Sequence, residues 1–421
     1  MWTLAHLAVL AWWPGALAPL QSASESTALL LQRPASLLRV TGAGRRQFVH
    51  GLVTAHINAL AAGGSTAGSD GEAGGGAVVD AAVVDASGRT FSTLTLIDAP
   101  SATGGQPEEL LALGPKGQGP QLFDFFERYA FPADRATPAD ATGAYECYEL
   151  IGPSAGAALT AALARVDCPP GLPRQGGAVR RSFAGADLVL VGWGSLGFGE
   201  AWSVLSPRGD GSMADALREA VAAVGGCDGT VGGEATSGPT TAWEVLRVLR
   251  GRPALGAEYG IPSLPSVSST VPASPSPLEL GLWSSVHLDK GCYLGQELLA
   301  RVARAPKLKR ELFGVSFETA PVQGTGSGME AADCGNGGVL GGLGGGGVEL
   351  YAMDDAPDGS APSAKPVGML TSLLHFPCGR AFGLALLRPP IAVGAAVRLA
   401  PEAGGGSVGV VRPLACATRA G

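Results

Sequence analysis

The chain has 421 residues, 46% of them hydrophobic, which is enough for two or three domains around a sizeable core. Its net charge of -7 argues against a generic nucleic-acid surface but leaves room for an anionic small molecule held by local arginines. The cysteines at 147, 168, 227, 292, 334, 378 and 416 are odd in number and form no CxxC pair. That excludes a disulfide framework and a zinc site of usual spacing, and no stable metal is expected.

Residues 1–26 read as a targeting segment or a misassigned start. The first twenty are apolar and carry no Arg, Lys, Asp or Glu, so the basic end of a secretory signal is missing. Pro14 interrupts the run before it reaches the length of a membrane span, so no membrane partner is expected. Folding begins near Thr27. Residues 28–40 offer a strand and 44–60 a helix, with Phe48, Leu52 and His56 at helical spacing. The glycine-rich tract 63–76 reads as a flexible insert. Two apolar runs within 77–97, joined through Ser87-Gly88-Arg89, predict a hairpin.

A short strand is expected at 110–113, and an amphipathic helix at 120–129. A strand at 145–151 runs into Gly152-Pro153 and an alanine-rich helix. Two strands fall within 178–191 and a third at 201–205, followed by helices at 213–224 and 241–250. Residues 262–277, rich in serine and proline, read as a disordered insert. Beyond 312 the pattern changes to short turn-bounded strands at 311–317, 348–351, 366–372, 381–387 and 395–399. These predict a small β-barrel-like domain over 313–421, split by the glycine-rich insert 324–347. The mixed strands and helices of 27–312 make the larger part α+β.

The most informative stretch is 283–310, WSSVHLDKGCYLGQELLARVARAPKLKR. Alternation of Val286 and Leu288 with Ser285 and His287 predicts a half-buried strand. Gly291 and Gly295 bracket Cys292, and a helix begins at Gln296. Lys290 and a nearby helix N-terminus both favour the Cys292 thiolate, whereas Glu297 opposes it. Gln296 and Glu297 could equally cap the helix or order the loop. Glu297 and Arg301 form a surface pair at helical spacing, and Tyr293 reads as packing. His50 and His287 read as structural. The other cysteines receive no role.

Asp289-Lys290-Gly291-Cys292-Tyr293-Leu294-Gly295-Gln296-Glu297 resembles the K-G-C-[FY]-x-G-Q-E motif of the YgfZ-type folate-binding proteins. These are relatives of the glycine-cleavage T-protein, an aminomethyltransferase, that act in iron–sulfur protein assembly. Further similarity follows in order: QFVHGLVT at 47–54, Gly88-Arg89, Gly152-Pro153, Arg247 with Gly251-Arg252-Pro253, Pro277-Leu278-Glu279, and VGMLTS at 367–372. The resemblance covers about 28–400 outside the inserts, and 127–134, 251–258 and 279–283 are most similar to the plastid branch. It implies an aminomethyltransferase-like folate-binding region over 27–312, arranged as ring-like α+β domains with tetrahydrofolate in a central channel, followed by the barrel.

Cys292 is then the key thiol, within a motif of Lys290, Gly291, Tyr293, Gly295, Gln296 and Glu297. Glu279 is implied for the pterin, and Arg247 or Arg301 for the carboxylate tail. T-proteins place a carboxylate just past the hairpin, where this chain has Ser92 and Thr93. The first expectation is therefore a tetrahydrofolate-binding accessory factor in iron–sulfur cluster assembly or repair, with assembly proteins or client enzymes as partners. The alternative is a folate-dependent one-carbon transferase, aminomethyl or methyl. A non-catalytic scaffold is the third reading. The branch resemblance implies the chloroplast, with the mitochondrion second.

Overall fold

Runs of β-branched and leucine residues build the main body as one curled sheet. The computed structural model describes residues 28–57, 76–99, 109–194, 200–209, 211–229, 242–260, 274–321, 347–353, 362–376, 379–399 and 407–414. Segment 1–26 and most of the three expected inserts lie outside these. Residues 274–277, the end of the second insert, are instead packed, with the Ser274 hydroxyl donating to the Thr90 carbonyl at 2.7 Å.

The chain enters through β1 (Leu29–Gln32) and β2 (Ala35–Thr41). The expected single strand 28–40 is split at Arg33-Pro34, because proline has no N–H to donate to a ladder. Helix α1 (Arg45–Leu52) buries Phe48, Val49 and Leu52. It ends eight residues short of the expected 44–60. Val53 turns extended, at φ -117° and ψ 161°, and bridges to Val83. The hairpin forms as expected, β3 (Gly76–Val84) against β4 (Thr90–Asp98). Next come β5 (Glu109–Pro115), α2 (Gly119–Arg128), a short β6 (Thr137–Asp140) and β7 (Tyr145–Ile151). Helix α3 (Ala155–Arg165) precedes β8 (Gly177–Phe183), β9 (Ala186–Val191) and β10 (Ala201–Pro207). Helix α4 (Ser212–Ala223) and a two-residue β11 (Cys227–Asp228) complete the sheet.

The order across the sheet is β11-β1-β7-β10-β9-β8-β3-β4-β5-β2-β6. Its two halves meet where Gly76 and Ala77 of β3 pair with Ala178 and Gly177 of β8. Alanine-rich α3 packs with α4 on one half, through Ala158, Leu159, Ala162, Leu217 and Ala220. Small side chains let these helices approach the strands closely. Helices α1 and α2 cover the other half through Phe48, Leu52, Leu122 and Phe126. Strands from both halves share a further core of Leu37, Ile97, Leu111, Val189, Val191 and Leu205.

After α5 (Ala242–Arg250) the chain passes through a single 3₁₀ turn at Trp283–Ser285 to α6 (Gln296–Arg304). The strand expected from the alternation at 285–288 is absent. Its backbone groups are used otherwise, the His287 N–H donating to the Thr54 carbonyl at 3.0 Å. The C-terminal part is a closed six-stranded barrel of β12 (Glu311–Phe317), β13 (Val348–Met353), β14 (Pro362–His375), β15 (Ala381–Leu387), β16 (Ala396–Leu399) and β17 (Val408–Arg412). Its order, β12-β15-β14-β13-β16-β17, leaves no open edge, since β17 returns to β12. The α+β class with a small C-terminal barrel therefore holds.

A buried ion pair joins barrel to body. The fully buried Arg247 of α5 donates through Nη1 to Glu258 at 2.9 Å and to the Arg252 carbonyl at 3.1 Å. Its Nη2 reaches Ser372 of β14 at 3.1 Å and also Glu244, which accepts from Nε at 2.7 Å. Glu258 accepts in turn from Thr371, Ser372 and the Ala254 N–H. Arg247→Met should strand the Glu258 carboxylate and lower the urea-measured stability by about 3–5 kcal/mol. A loss under about 1 kcal/mol, the range of an exposed pair, would show that the pair does not join the two parts.

Candidate functional site

The cysteine loop is held from beneath by the end of α1. The His50 ring lies between two backbone groups. Its Nδ1 accepts from the Ile57 N–H at 3.3 Å, and its Nε2 pairs with the Lys290 carbonyl at 2.9 Å. That arrangement fits a neutral imidazole with its proton on Nε2. Lys290 returns the contact by donating its ammonium to the His50 carbonyl, 4.7 Å from the centroid of the Tyr293 ring. The Thr54 hydroxyl donates to the Ser285 carbonyl at 2.6 Å, and the Gln296 side chain to the Leu288 carbonyl at 2.6 Å. Gln296 thus orders the loop, one of the two roles its position allowed. Tyr293 packs with Val84 and Leu299.

Cys292 stands exposed on this clamp. Lys290, expected to favour its thiolate, points inward and is spent on His50 and Tyr293. Burial lowers the Lys290 pKa to about 8, so the ammonium still carries its proton at neutral pH. Gly295 precedes α6 at φ +77°. A Cβ there would come within 2.5 Å of the Asp85 carbonyl and 3.3 Å of Gly88 Cα. Only glycine lets hairpin tip and helix start meet so closely. Gly291, at φ +102°, makes the turn into the cysteine. Glu297 and Arg301 pair at 3.3 Å, both well exposed.

Beside α6 opens a cavity of about 820 Å³. Its walls are the hairpin tip, the turn at 256–258, the packed segment 274–276, the side of α6 with the chain following it, and barrel strands β14 and β15. Six cations line it, namely Arg89, Arg301, Lys307, Lys309, Arg310 and Arg388, against two carboxylates, Glu258 and Glu279. Such a surplus, in a chain of net charge -7, focuses positive potential at one opening. Glu279 accepts from the Ser276 N–H at 2.8 Å and its hydroxyl at 3.0 Å, and faces Arg310 at 3.4 Å. Of the residues singled out from sequence, Glu279 and Arg301 meet here. Cys292 and Arg247 do not line the cavity, and all the Arg247 guanidinium nitrogens are committed internally. Arg247 acts on the site by holding Glu258.

Where the resemblance implies a carboxylate, Ser92 is buried and donates to Gln118 at 2.7 Å, and the Thr93 hydroxyl pairs with Tyr259 at 2.9 Å. Neither lines the cavity. Sequence reasoning took Arg89 for a hairpin turn residue and did not single out Glu258, Arg388 or the run Lys307, Lys309, Arg310. The last was readable, since 301–310 carries five cations and no acid. Among the described residues, no three His, Cys, Asp or Glu side chains group as metal ligands, and no helix is long and apolar enough to cross a membrane.

These features sit on a known scaffold. The glycine cleavage system aminomethyltransferase T of Bartonella henselae superposes over 95% of this chain and 90% of its own, with a TM-score of 0.63 at 15% identity. The two chains share their fold. In sequence, a chloroplastic protein of Arabidopsis thaliana, provisionally named a transferase, is 27% identical over 294 residues. The match takes in 68% of this chain and 56% of that relative's length. No protein-family model matches the chain.

The clamp makes the loop sensitive to acid. Burial lowers the His50 and His287 pKa values below 6.5, and the charges of Lys290 and His56 add to the effect. For a base whose pKa falls on folding, the unfolded chain takes up the proton first, so stability is intact above 6.5 and declines as pH falls below it. The urea midpoint should therefore drop between pH 7 and pH 5.5, and His50→Asn should flatten that drop. Equal slopes in the two proteins would show that the clamp does not titrate.

Proposed function

We propose that this chain binds tetrahydrofolate in the 820 Å³ cavity and acts as a folate-dependent one-carbon transferase, of aminomethyl or methyl type. The observation that carries the reading is the lining of six cations beside two carboxylates, on a fold shared with an aminomethyltransferase. A pterin presents paired N–H donors and the rest of the folate molecule ends in carboxylates. Glu279 retains acceptor capacity beyond Ser276 and Arg310 and takes the pterin, while Arg301, with Lys307 and Lys309 nearby, takes the carboxylates. The residues therefore fit the group. Bound folate would supply a carrier for a one-carbon unit.

Ser92 and Thr93 are committed elsewhere. Glu258 is saturated by Arg247, Thr371, Ser372 and a backbone amide, so its charge is fixed and it shapes the wall. With Glu279 on the pterin, the part played by the chain's own residues is to bind and orient the folate. The chloroplastic relative favours the plastid as the site of action, with the mitochondrion second.

A role in iron–sulfur assembly has one observation in its favour. Cys292 is exposed, outside the cavity, on a loop fixed by reciprocal bonds to His50. A thiol so placed meets a protein partner rather than the folate, so the two roles are separable.

Calorimetry with tetrahydrofolate should give saturable binding. The double variant Arg301→Gln/Lys309→Gln should weaken it about tenfold or more, one charged contact being worth about 1.4 kcal/mol. Cys292→Ser should leave the affinity unchanged. No saturable heat, or equal affinity in the double variant, would overturn the folate reading. For the thiol, Cys292→Ser is expressed in cells lacking the chain, and [4Fe–4S] enzyme activity should stay low. Full restoration would remove Cys292 from any assembly role.

A further inference from the structure

A second cavity, of about 400 Å³, lies at one end of the curled sheet and shares no lining residue with the first. It opens where β1 ends, β2 begins, β5 ends and β7 begins. The side walls are apolar, formed by Pro34, Leu37, Leu113, Cys147 and Leu205. Burial pushes the Cys147 thiol up to about 12, so that wall is a neutral surface at physiological pH.

The charged groups are unbalanced. Arg33, Lys116 and Arg208 line the cavity, with Glu146 as the single acid. Glu146 is engaged by the Tyr148 hydroxyl, which donates to it at 2.6 Å. Arg33 is nearly buried, 3.7 Å from Glu149 and 3.4 Å from the Thr95 hydroxyl. Lys116 and Arg208 are exposed, and neither enters an ion pair among the described residues. They come from separate turns, after β5 and after β10, so no local helix or hairpin explains their convergence. The Tyr145 ring completes the lining.

We propose that this cavity is a second ligand site, taking a small organic carboxylate with a compact apolar body. The apolar walls receive the body, and Lys116 and Arg208 receive the carboxylate at the mouth, the charge of Arg33 being met by Glu149. A cavity of this size is at the small end of ligand pockets. An inorganic anion would leave the apolar walls unused, and a cation would meet Lys116 and Arg208 at the mouth.

The test uses the whole chain with benzoate, inorganic phosphate and benzylamine as probes, followed by ligand-observed NMR titration. Benzoate should saturate in the millimolar range while phosphate binds more weakly and benzylamine does not bind. Lys116→Gln/Arg208→Gln should weaken benzoate about tenfold or more, at about 1.4 kcal/mol per tenfold. Because neither residue lines the first cavity, tetrahydrofolate calorimetry on the same variant should be unchanged from the parent. Arg208→Glu should lose benzoate and gain benzylamine. Benzylamine or phosphate binding the parent as tightly as benzoate would overturn the proposal. So would full benzoate affinity in the double variant, or no saturation by benzoate at all. The same titrations on Arg301→Gln/Lys309→Gln remove the share of the signal that belongs to the first cavity, so the outcome at this site stands apart from the fate of the folate reading.

Discussion

The Arg247–Glu258 ion pair is the constraint on which the rest of the arrangement depends. Two charges with essentially no exposure are tolerated only because every donor and acceptor around them is matched. Their partners come from α5, from the turn after it and from barrel strand β14, so satisfying the pair also fixes the barrel against the body. Arg252 extends the tie to β3 through Asp80 at 3.1 Å. The cavity beside this junction inherits its shape. Glu258 forms part of the wall, and its charge is already balanced, so the net positive lining is set by the outer cations.

A second set of constraints acts at the cysteine loop. Helical hydrogen bonding ends with the Val53 N–H donating to the Val49 carbonyl, and the backbone at Thr54 is then used to bind 285–287. The Thr54 N–H donates to the Ala82 carbonyl, and its hydroxyl also accepts from the Ala82 N–H at 2.9 Å. One threonine therefore links the hairpin strand, the end of α1 and the start of the motif segment. Polar groups buried this deeply are costly when unmatched, which makes the three segments rise and fall together.

Most of the sheet was legible in the sequence because its strands alternate or run apolar between glycine and proline turns. The hairpin at Ser87-Gly88-Arg89, the alanine-rich α3 and the barrel strands at 311–317 and 381–387 all carry that local signal. Three elements escaped. Thr137–Asp140 contains a proline and sits at the sheet edge. Cys227–Asp228 is too short to show a period. Strand Val408–Arg412 is part of a closed ladder that only long-range pairing reveals. The reverse error, a strand expected at 285–288, arose because alternation of Val286 and Leu288 looks the same whether a partner strand exists or not. At the site, Glu279 and Arg301 could be placed by resemblance. Arg247 could not, because nothing in a helical AWEVLRVLR distinguishes an arginine that meets a ligand from one that is buried with two glutamates.

The distance between thiol and cavity in the chain's logic is bridged by α6. Its N-terminus is fixed by Gly295 against the hairpin tip at Gly88, and Cys292 lies just before it. Its side, through Leu298, Arg301 and Val302, is a wall of the cavity. The hairpin tip is itself another wall. The cavity wall and the start of α6 therefore meet at one glycine-to-glycine approach, while the thiol touches no part of the lining. On the other side Lys290 and His50 hold the loop through paired bonds. The close approach explains why glycine is required at 295 whichever chemistry the thiol performs.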